Sequence, residues 1–299
     1  MTHTEFEKAR ERYLRSLVAL NKSESTIEKY TIVLNRIGAD LDEITPEALD
    51  EWRDKQQNKA NTTAHYLTIF HTFLKWCNKK NIISEVFEIE KPKPEQIEYN
   101  LLNKEDIDKI ISGTSTKIHK ENYCRNRAIV LLLLQTGMRN GEIRALKVND
   151  LDFGKGEITI RHGKGDKLRI VPFPQLSRDA VKAYLKERPK LPSEAPLFVN
   201  RTEQSFGGRS GEEWHGFTKQ GLNALVSRYV YNLTGKEIHC HTLRHSAASY
   251  WDENNVPIRR IQQALGHKSI RTTESVYLYI LNKSQAAQDI NTALDNRKD

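Results

Sequence analysis

Ten residues, "EIHCHTLRHS" at 237–246, hold three histidines, a cysteine and an arginine. His239, Cys240, His241 and His245 are all metal-binding types, and His241 and His245 stand at the i, i+4 spacing of two zinc ligands on a helix. The metal pattern is weak. No acidic residue lies between them as in an HExxH helix, and no CxxC pair supplies further ligands. Arg244 points to a different chemistry. On a helix starting near Thr242, His241 and Arg244 stand three apart and share a face. A histidine beside a guanidinium repels a cation but suits a phosphate. The guanidinium offers a planar fork of donors, and the imidazole can accept or give a proton.

Three further stretches carry side chains of this kind. "TGMRNGEIRAL" sets Arg139 directly after a turn, with Glu142 three residues on to hold it. Alone, this reads as an ordinary surface Arg–Glu pair. "HGKGDKLRIVP" sets Lys164 at a hairpin tip between two glycines, where it can swing into a groove or stay solvated. "LGHKSIRTTESVYLYI" has His267 just after a Leu-Gly break, then a polar turn, then Tyr277 and Tyr279.

Each signal is weak alone, but their order is not. Arg-xx-Glu, a hairpin Lys, His-xx-Arg, a Gly-His and then a Tyr together resemble the tyrosine recombinase (phage integrase) family, in its Xer-like two-domain form. The resemblance runs along the whole chain, since the "ST…Y" and "FLKW" helices look like that family's core-binding domain. It implies that Tyr277 attacks a DNA phosphodiester, leaving a 3′-phosphotyrosyl link and a free 5′-hydroxyl. Arg139 and Arg244 would clamp the non-bridging oxygens, with no metal and no cofactor. Lys164 would be the general acid for the 5′-oxygen, and His241 the base or proton relay for Tyr277. His267 would hydrogen-bond a phosphate oxygen. Glu142 would orient Arg139, His245 would support by packing, and His239 and Cys240 would have no part. Tyr277 is preferred because "TTESVY" fits the family's spacing, whereas Tyr279 would need two extra residues. The two tyrosines point about 200° apart on a helix, so one alone can face the phosphate.

The elements that must position these residues fall into two groups. Residues 1–90 read as four helices: "TEFEKARERYLRSLVAL", "SESTIEKYTIVLNRIGADL", "TPEALDEWRDKQ" and "NTTAHYLTIFHTFLKWCNKKN". They predict a small all-α domain, which by the resemblance is the SAM-like core-binding domain that grips DNA. "EIEKPKPEQIEYN" has two prolines among charges and no period, so residues 91–100 read as a linker. Residues 101–299 predict a mixed α+β catalytic domain, making the fold mainly α with a small β-sheet. Its signals are a capped helix after Asn103, an apolar helix "RNRAIVLLLLQTG" ending at Gly137, and a hairpin in "GEITIRHGKGDKLRIVPFP". The glycine-rich stretch 200–216 reads as a mobile loop, and 217–293 as helices broken near Gly235, Pro257 and Gly266. The last stretch has Ala287, Ile290 and Leu294 at helical spacing. By the resemblance, this tail docks on a neighbouring subunit of a homo- or hetero-tetramer on synapsed DNA.

Charge agrees with a nucleic-acid partner without proving one. Residues 1–96 carry 15 Lys/Arg against 16 Asp/Glu, while 97–299 carry 32 against 23, so the basic excess lies in the second part. No apolar run approaches a membrane span, the first residues lack a signal-peptide core, and Cys77, Cys124 and Cys240 are scattered. A cytoplasmic protein acting on a duplex DNA recombination site, away from membranes, is the expectation. The short stretch ahead of the helices suggests a simple two-domain form. Competing readings are a type IB topoisomerase, a non-catalytic DNA-binding regulator of the same fold, and a metal-dependent hydrolase.

Overall fold

The computed structural model describes residues 1–93, 95, 101–113, 122–161, 168–188, 190–192, 194–202 and 213–266. Lys164, His267, Tyr277, the Gly-Lys-Gly-Asp turn and the C-terminal tail lie outside the described residues. Cα packing divides the chain into two compact units, Met1–Glu98 and Tyr99–Asp299.

The first unit is four helices: α1 (His3–Ala19), α2 (Glu24–Asp40), α3 (Pro46–Asp54) and α4 (Ala60–Lys79). Local chemistry sets three of the starts. Thr2, Ser23 and Thr45 each accept a first-turn backbone N–H, and Pro46 fills the first position of α3, where no N–H is needed. Phe6, Leu34, Ile37, Phe70, Phe73 and Leu74 are buried together, while Tyr66 and Trp76 of α4 are only partly covered. The Phe6 and Phe73 rings meet edge-on at 5.5 Å. Gly38 permits this packing, because a Cβ there would stand 2.3 Å from Phe6 Cε1. Each fully buried Leu, Ile or Phe contributes about 1.5–3 kcal/mol, which outweighs the weak intrinsic stability of short helices.

The second unit is built around α6 (Tyr123–Thr136), buried without a break from Ala128 to Leu134. A helix apolar on all sides must be enclosed. α8 (Gln175–Glu187), α9 (Lys219–Thr234) and α10 (Cys240–Glu253) pack around it. α5 (Lys104–Ser112) starts at the Asn103–Asp106 capping box and lies on α9. Between α6 and α8 come α7 (Asn140–Ala145), a 3-10 turn at Val148–Asp150, and the antiparallel strands β1 (Leu151–Asp152), β2 (Glu157–Ile160) and β3 (Arg169–Pro172). Ile158 faces Val171 and Ile160 faces Arg169, and Ile158, Ile160, Val171 and Phe173 are buried. α11 (Ile258–Leu265) closes on Gly266 in the left-handed conformation.

Two expectations need correction. The stretch 200–216 is not all loop: β4 (Val199–Thr202) and β5 (Glu213–Gly216) pair antiparallel, with Asn200 opposite His215. Glycine content masked this pairing, since "VNRT" and "EWHG" carry little apolar alternation. α10 begins at Cys240 rather than near Thr242, with His239 in extended backbone ahead of it. Among the described residues, no helix is long and apolar enough to cross a membrane.

Candidate active site

α6 ends where the site begins. Gly137 takes φ +60°, and a Cβ there would meet Leu265 Cδ2 at 2.7 Å, so this turn excludes side chains twice over. Two residues later Arg139 occupies the N-cap of α7. Its backbone N–H donates to Glu142 Oε2 at 2.8 Å and its Nη1 to Glu142 Oε1 at 2.8 Å. The Arg139–Glu142 pair is therefore no surface pair: the Glu142 side chain is 4% exposed and that of Arg139 27%. Burial opposes ionisation of Glu142. Hydrogen bonds from Arg169 and from the Arg139 N–H outweigh it and hold the carboxyl at about 2.

α10 brings the second arginine. Arg244 is 2% exposed, and its Nη1 and Nη2 donate to the carbonyls of Gly137 (2.5 Å) and Leu265 (2.6 Å). Burial first, then the Arg139 charge, press its pKa down to about 9, so it is still cationic at neutral pH. Arg139 Nη2 reaches the carbonyl of Gly266 at 2.8 Å. Arg139 and Arg244, distant in sequence, are thus brought to one helix end.

His241 lies on the first turn of α10, exposed on its outer edge. Its pKa is lowered by the protein it lies against and then by the Arg244 and Arg139 charges, which favour a neutral ring. The buried His245 ring packs edge-on against it, centroids 4.5 Å apart. Cys240 turns into the core beside Asn140 Nδ2, 3.4 Å away, and burial raises its thiol to about 11. A metal ligand must be a thiolate, so this environment opposes ligation. Among the described residues no group of three or more His, Cys, Asp or Glu is arranged to hold a metal.

Arg169 had no assigned part in the sequence reading. Its Nη1 and Nη2 donate to both oxygens of Glu142, at 2.6 and 2.8 Å. The available signal was a charge on the same strand face as the buried Val171 and Phe173.

The chain resembles known proteins over most of its length. The sequence model of the phage integrase family matches residues 100–283. The chain is 31% identical over 258 residues to tyrosine recombinase XerA of Pyrococcus furiosus, covering 85% of this chain and 83% of the relative. It is 30% identical over 248 residues to tyrosine recombinase XerC of Syntrophus aciditrophicus, covering 79% and 75%. The fold is similar to XerH site-specific recombinase bound to its palindromic difH substrate, with TM-score 0.68 and 21% identity over 95% of this chain and 84% of that one. The chain belongs to the phage integrase family, as a Xer-like tyrosine recombinase, an enzyme that cleaves and joins DNA strands.

Proposed function

We propose that the protein exchanges strands between specific duplex DNA sites, with Tyr277 as nucleophile. The Tyr277 oxygen attacks the phosphorus, the bond to the 5′-oxygen breaks, and a 3′-phosphotyrosyl link holds the strand until a 5′-hydroxyl reverses the step. Two transfers of similar energy need no external energy source. Phosphoryl transfer rests mainly on positioning and charge stabilisation. Arg139, the more exposed guanidinium, is suited to touch a non-bridging oxygen. Arg244 acts from beneath the surface as a fixed charge, whose field is strong where water is excluded. His241, kept neutral, can take the tyrosine proton, since a phenol of ordinary pKa near 10 supplies little phenolate at pH 7. Lys164 protonates the leaving 5′-oxygen and His267 donates to a phosphate oxygen. The working assembly is a tetramer on two sites, in the cytoplasm, with the C-terminal tail docked on a neighbour. The helical unit 1–90 also binds the duplex, joined through the linker 91–100.

The observation that carries this reading is the meeting of Arg139 and Arg244 at the end of α11, with His241 near enough to feel both charges. The test is covalent trapping on nicked duplexes of randomised sequence, followed by sequencing of the attached DNA. Wild type should form an adduct, whereas Tyr277→Phe should bind DNA and form none. Adduct surviving in Tyr277→Phe and lost in Tyr279→Phe would move the nucleophile.

A further inference from the structure

The Glu142 carboxylate is saturated. Oε1 accepts from Arg139 Nη1 and Arg169 Nη1, and Oε2 from the Arg139 backbone N–H and Arg169 Nη2. A carboxylate offers about four lone-pair sites, so Arg169 takes half of them. Arg169 also lies flat on the turn after α11: a Cβ on Gly266 would stand 3.1 Å from its Cζ and Nε. It is the first paired residue of β3, opposite Ile160, and the residue just after β2, Arg161, pairs with the buried Asp150. On each side of 162–167, the segment that contains Lys164, an arginine is therefore tied to a buried carboxylate. The Arg169 side chain is 14% exposed, against 27% for Arg139, so it is less open to a substrate.

We propose that Arg169 is a positioning residue for strand cleavage, acting on the phosphate through Glu142 and Arg139 rather than by contact. The proposal rests on the function proposed above. The bidentate fork fixes the plane of the carboxylate, and the carboxylate fixes the Arg139 guanidinium. Without the fork the carboxylate can turn about its last torsion, and Arg139 turns with it. Lysine keeps the charge but cannot span both oxygens, so it should replace Arg169 poorly.

The probe is a nicked duplex recovered by wild type from the randomised pool. Gel shift reads binding, and single-turnover adduct formation at saturating protein reads cleavage. Arg169→Ala should bind to within about twofold of wild type, because Arg169 makes no phosphate contact of its own. It should cleave about 10²-fold more slowly, the scale of a small misplacement of a reacting group. Arg169→Lys should fall between the two. Arg139→Lys combined with Arg169→Ala should be no slower than Arg139→Lys alone, since both changes act at one guanidinium. If melting shows Arg169→Ala unfolded, Arg169→Lys carries the test. Wild-type cleavage in the folded variants would overturn the proposal. So would effects that multiply in the double variant, equal losses of binding and cleavage, or unfolding of both variants. If wild type itself forms no adduct, the functional reading falls and this one with it. Wild-type adduct with unimpaired variants removes Arg169 alone.

Discussion

Arg244 donates to the carbonyl of Leu265 across 2.6 Å, at the last residue of α11. The carbonyls on either side are taken the same way, Gly266 by Arg139 at 2.8 Å and Ala264 by Arg169 at 3.4 Å. Three guanidiniums from three separate elements thus meet three successive carbonyls. A helix C-terminus leaves such carbonyls unpaired and carries a charge of about −0.5, so it attracts cations. This explains how like charges are held close enough to lower the Arg244 pKa without driving the elements apart. The arrangement leaves a concentrated positive field for an incoming phosphate to neutralise.

Glu142 should make stability depend on pH at the acid end. Its pKa is about 2 in the folded protein, against a reference of 4.5. A depressed carboxyl stabilises the fold fully above the unfolded value and loses that contribution as pH falls through the folded one. The shift corresponds to about 3 kcal/mol. Urea unfolding at pH 7 should find Glu142→Gln weaker than wild type by this order. The gap should close as pH drops from about 4.5 toward about 2. A gap constant across that range would refute the account.

His241 should titrate below an ordinary histidine. Neighbouring protein and the charges of Arg244 and Arg139 disfavour its protonated form. An NMR titration of the ring should place its midpoint under 6.5, the reference value for a free imidazole. Arg139→Gln should raise the midpoint by removing one charge. If His241 is the proton acceptor, the acid limb of the cleavage rate should move upward in that variant as well. A midpoint unmoved by Arg139→Gln would separate His241 from this field.

Two left-handed glycines should respond differently to alanine. Gly235 has φ +73° and open space around a would-be Cβ, whereas Gly266 has φ +64° and the Arg169 guanidinium at 3.1 Å. Gly235→Ala should cost about 1 kcal/mol through backbone strain alone and leave cleavage intact. Gly266→Ala should cost at least as much and also slow cleavage, because its carbonyl holds Arg139. Equal cleavage in both variants would show that this carbonyl is not a constraint on the site.

Much of the fold was readable from local signals. Thr45-Pro46, Asn103 with Asp106, and Gly137 mark helix ends by chemistry that acts within a turn or two. β4 and β5 escape a sequence reading because "VNRT" and "EWHG" lack the apolar alternation that marks β2 and β3. The types and order of Arg139, Glu142, His241 and Arg244 were sufficient to indicate phosphate chemistry, since charge, donor geometry and proton affinity belong to the side chains themselves. The tertiary structure decided how they are held. It turned Arg139–Glu142 from a surface pair into a buried one, placed Cys240 in the core, and added Arg169 through the face of a strand. It also supplied the carbonyls of α11. Backbone acceptors are common to every residue, so their use here depends only on where the chain folds.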